Sequence, residues 1–444
     1  MDTIGDRYHR LHPGSLSRYQ QAQRLLPDGV THDTRWMTPF PIYVTHAQGP
    51  RKWDVDGNEY VDYVMGHGAL LLGHSHPDIV EAVTDQVAKG THVGASHDLE
   101  IQWAQRVVDL IPSAQKVRFT SSGTEATLMA LRLARAYTGK DKVIKFMNHF
   151  HGWHDYVLAG GGGSLAGVPD ATLSTMVVLE PNDISLVEQT LSGDDNVAAV
   201  ILEPTGAHMG VEPVPPSFLD ELRETTRQHG VLLIFDEVVT GFRTSPGGAQ
   251  ARYGVTPDLT TLAKILGGGL PGGAVAGRAE MLDLIQHRGD PAWDADERVR
   301  HPGTFNANPV SAAAGSKALE LVATTNANAR ADAMAQRLKD GFNRTLRRME
   351  VPGCASGVAS IVGVILGVPH ECDGEICGLS LDQIRQAMPP QRAAALKRSM
   401  LNAGIDTMGG SRFLLSATHD EREIDRTVNA FEEALTVMRS EAFI

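Results

Sequence analysis

A chain of 444 residues is too long for one compact core, so two or three domains are expected. Its 42% hydrophobic and 21% charged content is ordinary for a globular protein, and a formal net charge of −13 without a basic stretch argues against general nucleic-acid binding. Three cysteines (Cys354, Cys372, Cys377) make no disulfide framework, MDTIGDRYHR has no apolar signal core, and no apolar run reaches about 18 residues, so a cytoplasmic protein is expected.

Residues 1–30 suggest an initial arm with a short helix over 15–26, ended by Pro27-Asp28-Gly29. Arg35 follows in a loop, THDTRWMTPFP. Strands over 52–55 and 59–63 flank Asp56-Gly57-Asn58, a hairpin signal. MGHGALLLGHSHP leads into a helix with Pro77 in its first turn, running to Lys89 and stopped by Gly90. His67, His74 and His76 lie in this Gly-rich segment without acidic or Cys partners at ligand spacing, so no metal is expected there.

From about residue 95 strands and helices alternate. A strand over 117–120 runs into Ser121-Ser122-Gly123-Thr124-Glu125, the start of a helix reaching Tyr137. Small hydroxyl residues and a glycine at a helix start can present N–H groups and hydroxyls to a phosphate, although Ser and Thr are also the usual caps. A strand over 143–146 leads to His149-Phe150-His151-Gly152-Trp153-His154, where an aromatic ring could stack on a planar ligand or simply fill the core. The run at 160–163 is four glycines, a mobile loop by composition. A strand over 197–202 closes at Glu203-Pro204, and a helix over 217–229, capped by Ser217, is stopped by Gly230.

That helix delivers the chain to its most informative stretch, VLLIFDEVVTGFR. The wholly apolar 231–235 suits a strand buried on both faces of a parallel sheet. It stops at Asp236-Glu237, and ligands of open α/β sheets bind beyond the carboxyl ends of strands. Twenty-eight positions on, Lys264 follows a second apolar run, 259–263, and precedes a glycine cluster. A strand ending in Asp-Glu also resembles a nucleotide-hydrolase magnesium site, but no GxxxxGK[ST] loop accompanies it: Asp141 follows Gly139-Lys140, and Ala134 stands where the first glycine belongs. The aspartate and lysine together suit a pyridoxal phosphate site, the lysine making a Schiff base with the aldehyde and the aspartate keeping the pyridine nitrogen protonated.

Beyond Gly273 come a charged passage over 288–300, then HPGTFNANP, then long helices over 310–322 and 329–349 with short strands over 361–366 and 413–416. A domain boundary is expected near residue 315, giving an arm and hairpin segment over 1–70, a large α/β domain over 71–314 and a smaller α+β domain over 315–444. His370, Cys372 and Cys377 share one loop, VPHECDGEIC; three ligands fall short of four, so a variable surface loop and no metal are expected.

Together the motifs SSGTEA, FHGWHD, ILEP, FDEVVTGFR, TTLAKILGGGLPGG and PGTFNANP, in this order from WDVDGNEYVDY through to FLLSATHDERE, resemble the class III, fold-type I pyridoxal phosphate aminotransferases. The resemblance implies a homodimer of two-domain subunits with a large, mainly parallel-sheet domain. It implies that Lys264 carries the cofactor and that Asp236 pairs with the pyridine nitrogen. Val238 and Phe150 would cover the two ring faces. Ser122, Gly123 and Thr124 would hold the phosphate, with Thr304 reaching it from a second subunit, and Glu203 would sit near the ring hydroxyl. The N-terminal half and the LAKILGGGLPGGA region resemble glutamate-1-semialdehyde aminomutases, while PDGVTHDTR, GHGALLLGHSHP and ASHDLEIQWAQRVV more closely resemble D-phenylglycine (D-4-hydroxyphenylglycine) aminotransferases. Where the mutases usually carry Trp, this chain has His67, and residues 369–391 match neither group. The expected activity is therefore amino transfer from an aromatic D-amino acid to 2-oxoglutarate, with the mutase reaction, or transamination of another amine or amino acid, as the alternative. Arg35 is the candidate for gripping a substrate carboxylate, with His67 as a further pocket residue.

Overall fold

The computed structural model describes residues 2–370, 372 and 375–444. These form two compact units, one over 77–326 and one joining residues up to 76 with those from 327 onward.

The continuous unit is built on a seven-stranded sheet of β1 (Lys116–Thr120), β2 (Lys142–Phe146), β3 (Met176–Leu179), β4 (Val197–Leu202), β5 (Leu232–Asp236), β6 (Leu259–Ala263) and β7 (Gly273–Gly277), in the order β1-β7-β6-β5-β4-β2-β3. Only β7 runs against the rest. Six carboxyl ends therefore share one edge. The apolar run of β5 follows from its central place, since successive side chains of a strand point to opposite faces. Leu232 and Ile234 enter a cluster with Ala126, Met129, Ala130 and Leu133 of helix α1 (Gly123–Thr138). Leu233 and Phe235 enter another with Phe218, Leu219 and Leu222 of helix α2 (Pro216–Gln228). Pro215 occupies the N-cap position of α2 without a side-chain cap, so the expected Ser217 cap is replaced by prolines that preset the first turn.

The expected boundary at 315 falls inside helix α3 (Pro309–Thr324), which belongs wholly to this unit. The reason is contact: at Gly315 an added Cβ would lie 2.4 Å from the Leu266 carbonyl and 2.5 Å from Trp103, so the helix lies against the turn that follows β6. A change of texture toward helix marked the element and not the domain edge.

The second unit gathers both ends of the chain. Its hairpin pairs Arg51–Asp54 with Glu59–Asp62, as expected, and Ile405–Asp406 adds alongside Glu59–Asp62 in parallel. The segment expected as a separate arm over 1–70 thus shares a sheet with the C-terminal region. Lys52 sits between Asp62, at 3.0 Å, and Asp406, which also pairs with Lys397. A buried charge needs such partners, and removing one would leave the others uncompensated. The arm contains two helices, Ile4–Leu11 and Pro13–Ala22, where one over 15–26 was expected. A three-stranded antiparallel sheet completes the unit: β8 (Gly353–Ser356), β9 (Ile361–Leu366) and β10 (Arg412–Leu414).

The described residues of VPHECDGEIC are irregular chain with Pro369 and Glu375 exposed, in line with the surface-loop expectation; what is corrected is the count of three ligand residues. Cys354, on β8, brings its sulfur to those of Cys372 and Cys377 and to the His370 ring, all four ligand atoms lying within 4.8 Å of one another. The fourth residue was remote in sequence and invisible to local spacing. Residues 371, 373 and 374 of this loop lie outside the described residues. Among the described residues no helix is long and apolar enough to cross a membrane.

Candidate active site

Five of the six parallel carboxyl ends carry the candidate residues. β1 leads into Ser121–Thr124, β2 into His149–His154, β4 into Glu203, β5 ends on Asp236 and β6 runs into Lys264. β5 and β6 are parallel neighbours with Asp236 beside Thr261, which puts Lys264 and Asp236 on the same edge.

Asp236 is buried and fully engaged. Its Oδ2 meets His151 Nδ1 at 2.7 Å, and its Oδ1 accepts from Thr261 Oγ1 at 3.0 Å and from the Val238 N–H at 3.1 Å. Glu237, next in sequence, has a different task. It faces away into a closed network, accepting from Thr240 Oγ1, the N–H groups of Ala249 and Gln250, and the Gln250 side chain. The adjacent carboxylates thus separate into one at the site and one that fastens the loop after β5.

His151 was not singled out from the sequence. Burial depresses its pKa, opposed by the Asp236 carboxylate, so at neutral pH it is an uncharged ring donating to Asp236. Its Nε2 is buried without a hydrogen-bond partner among the described residues. The only sequence signal was its place in FHGWHD, one residue past the phenylalanine.

Lys264 adopts a left-handed backbone conformation (φ 52°), uncommon for a residue with a side chain. The turn it opens, Lys264–Gly267, is held by Trp103, whose indole donates to the Leu266 carbonyl at 3.0 Å. Burial lowers the Lys264 pKa against the opposing pull of Asp236 and Glu203, which enlarges the fraction of neutral amine. Lysine amines that act as bases or bond to carbonyls need that form.

The start of α1 lies against the same edge. An added Cβ on Gly123 would lie 3.0 Å from a Val238 methyl and 3.4 Å from the Ala263 Cβ, so only a glycine fits comfortably between the loops after β5 and β6. Gly152 closes the other side: its φ is +100°, and a Cβ there would meet Thr124 Oγ1 at 2.6 Å. Ser122 caps the helix by accepting from the Glu125 N–H at 3.2 Å. The first helical N–H groups, those of Gly123 and Thr124, have no intrahelical acceptor and suit a dianion.

Glu203 is buried with its Oε1 accepting the Phe150 N–H at 2.8 Å, and its own N–H donates to His149 Nδ1 at 3.0 Å. Burial first, then the Asp236 charge, push its pKa up to about 8. The Phe150 ring is 67% exposed, and Val238 is half-buried. Thr304 is exposed on the turn before α3. The glycine run at 160–163 lies in irregular chain.

In the other unit, Arg35 ends a single 3-10 turn, Asp33–Arg35, and is exposed, its Nη1 donating to Thr31 Oγ1 at 2.9 Å. His67 meets Thr34 Oγ1 at 2.9 Å and stacks on His32 with ring centroids 5.0 Å apart. The two expected pocket residues, 32 positions apart, are therefore joined through Thr34. His74 pairs with Asp62 at 2.7 Å, an acidic partner that sequence spacing did not show.

The edge fits pyridoxal phosphate group by group: an amine for the aldehyde, a fixed carboxylate for the pyridine nitrogen, a helix N-terminus for the phosphate. Comparison with known proteins agrees. The family model "Aminotransferase class-III" matches residues 33–373. A glutamate-1-semialdehyde 2,1-aminomutase from Methanothrix thermoacetophila is 39% identical over 434 residues, covering 94% of this chain and 95% of that one. An omega-transaminase structure from Sphaerobacter thermophilus superposes with a TM-score of 0.88 at 34% identity, covering 97% and 99% of the two chains. A transaminase structure with PLP bound gives 0.85 at 29% identity, covering 96% and 98%. Fold and site define a pyridoxal phosphate-dependent enzyme of fold type I. The chain belongs to the class III aminotransferases.

Proposed function

We propose that this enzyme moves an amino group within glutamate-1-semialdehyde, as a 2,1-aminomutase. The observation that carries this reading is the 39% identity to an enzyme of that name across 94% of the chain. Lys264 would hold the cofactor and, once substrate displaces it, take and return a proton at the substrate carbon bearing the amine. Its depressed pKa suits that work. Asp236, oriented by His151, would keep positive charge on the pyridine nitrogen. Ser122, Gly123 and Thr124 would bind the phosphate, and Val238 and Phe150 would cover the ring. Glu203, neutral below about pH 8, would offer a proton to the ring's hydroxyl side. Arg35 would grip the substrate carboxylate with its planar fork. Pyridoxal phosphate, when bound, supplies an electron sink and a carrier for the amine.

A second reading is net transamination of an aromatic D-amino acid of the phenylglycine type with 2-oxoglutarate. The contact of His67 with Thr34, one residue from Arg35, favours it, because His67 stands where the mutases usually have Trp. We further propose a cytoplasmic homodimer with Thr304 of each chain completing its partner's phosphate site. Phe305, next to Thr304 in sequence, is 57% exposed and so accessible to a second chain.

The test gives the holoenzyme glutamate-1-semialdehyde and, separately, D-phenylglycine with 2-oxoglutarate. Catalytic formation of 5-aminolevulinate supports the mutase. Benzoylformate and glutamate without 5-aminolevulinate would overturn it in favour of the transaminase.

A further inference from the structure

We propose that Cys354, His370, Cys372 and Cys377 form a structural zinc site, separate from the catalytic edge and unconnected with amino transfer. The ligands follow the pattern C-x15-H-x-C-x4-C. Strand β8 supplies the first ligand, and the segment between β9 and the helix Leu381–Ala387 supplies the other three. That division is what a metal clip requires. Cys354 is held by the antiparallel pairing of β8 with β9, opposite Ile365, and the irregular segment folds back onto it. The Gly357 N–H, donating to the Glu375 carbonyl at 2.9 Å, fixes the return within hydrogen-bonding distance of β8.

The donor set and its spacing suit zinc. Zinc bound tetrahedrally by three sulfurs at ~2.3 Å and one nitrogen at ~2.0 Å has ligand edges of about 3.5–3.8 Å. The Cys354 and Cys377 sulfurs are 3.7 Å apart, already at such an edge. Cys372 lies 2.8 Å from Cys354 and needs to withdraw by about 1 Å, which its half-buried position allows. A spread of no more than 4.8 Å suits a single centre and leaves no room for an iron–sulfur cluster between the donors. Three thiolates and an imidazole are soft ligands that favour zinc over magnesium or calcium.

A Cys354–Cys372 disulfide is the competing account. It would occupy two of the four residues and give no task to Cys377 or to the His370 ring. All three cysteines are free thiols in the structure. With four protein ligands the site has no open position, so its work is to fasten the segment and not to bind substrate. Cys354 is 1% and Cys377 4% exposed, so the ion would be shielded on the side of β8. On binding, three thiol protons pass to solvent and the histidine coordinates as the neutral ring, leaving a net charge of −1 from Zn²⁺ and three thiolates.

The test uses the full-length holoenzyme purified under reducing conditions. Elemental analysis should find about one zinc per chain, and Co²⁺ in its place should give the intense d–d and thiolate charge-transfer bands of a tetrahedral site. Cys372→Ser and His370→Ala alter half-buried positions and are expected to fold, checked by retained cofactor absorbance. Each should weaken Zn²⁺ in competition with a chromophoric chelator by more than the roughly 10–100-fold that losing a residue hydrogen-bonded to a metal ligand costs. Failure of the metal-free chain to take up stoichiometric Zn²⁺ would overturn the proposal. So would a Cys354–Cys372 disulfide in the reduced, active enzyme, or His370→Ala binding zinc as tightly as the parent.

Discussion

Replacing Asp236 with Asn tests the proposed site most sharply, because the amide keeps the shape and removes only the charge. Two of the three hydrogen bonds survive, since the amide oxygen still accepts from Val238 N–H and Thr261 Oγ1. The third does not: an NH₂ would face His151 Nδ1 across 2.7 Å. His151 must then carry its proton on Nε2, a buried position without a hydrogen-bond partner among the described residues. An unmet buried donor costs about 1–3 kcal/mol, so the variant should fold with modestly lower stability. The catalytic loss should be larger. Removing a preorganised group aimed at developing charge typically costs about 10²–10³ in rate, or ~2.7–4 kcal/mol. The assay is single-turnover conversion of the bound cofactor by an amino donor, followed by absorbance at saturating donor. A rate within tenfold of the parent, about 1.4 kcal/mol, would refute the pairing of Asp236 with the ring nitrogen.

Lys264→Ala should purify without the absorbance of lysine-linked cofactor and should not turn over; cycling at the parental rate would displace Lys264 from its proposed role. For Glu203 the sign follows from its raised pKa. The folded state holds this proton from about pH 4.5 up to about 8, whereas the unfolded chain releases it near 4.5, so stability falls as pH rises through that window. Glu203→Gln should therefore flatten the decline, measured as cofactor-free unfolding from pH 5 to 8, with a ceiling of about 5 kcal/mol from the 4.5-to-8 shift. Parallel profiles for variant and parent would contradict it. Arg35→Ala should raise KM for a carboxylate substrate by about 10–100-fold with little change in kcat, as loss of a charge-assisted hydrogen bond implies; an unchanged KM removes Arg35 from the pocket. Sedimentation at assay concentration should find a dimer, and a fully active cofactor-bound monomer would exclude a site shared through Thr304.

Local physics made much of this protein legible before any coordinates. An all-apolar run such as 232–235 belongs to a strand covered on both faces, and its abrupt end at Asp236 marks the carboxyl edge of the sheet. The small and hydroxyl residues at 121–124 belong to a helix start able to hold an anion, and Lys264 stands out between an apolar run and glycines. Each of these signals lies within a few residues of chain. What only the tertiary structure decided depends on residues far apart in sequence. The bond of Asp236 to His151, 85 positions away, and the tie of Glu237 to Gln250, 13 positions away, have no local signature. The join of His67 to the Arg35 turn needs residue 34 beside residue 67. The last helix of the large unit runs past residue 315 because Gly315 lets it close on Leu266. Cys354 is an ordinary buried strand residue by sequence, and pairing of β8 with β9 turns three ligands in a loop into four around one point. Side-chain periodicity reports which face a residue buries; it carries no record of which distant residue meets it there.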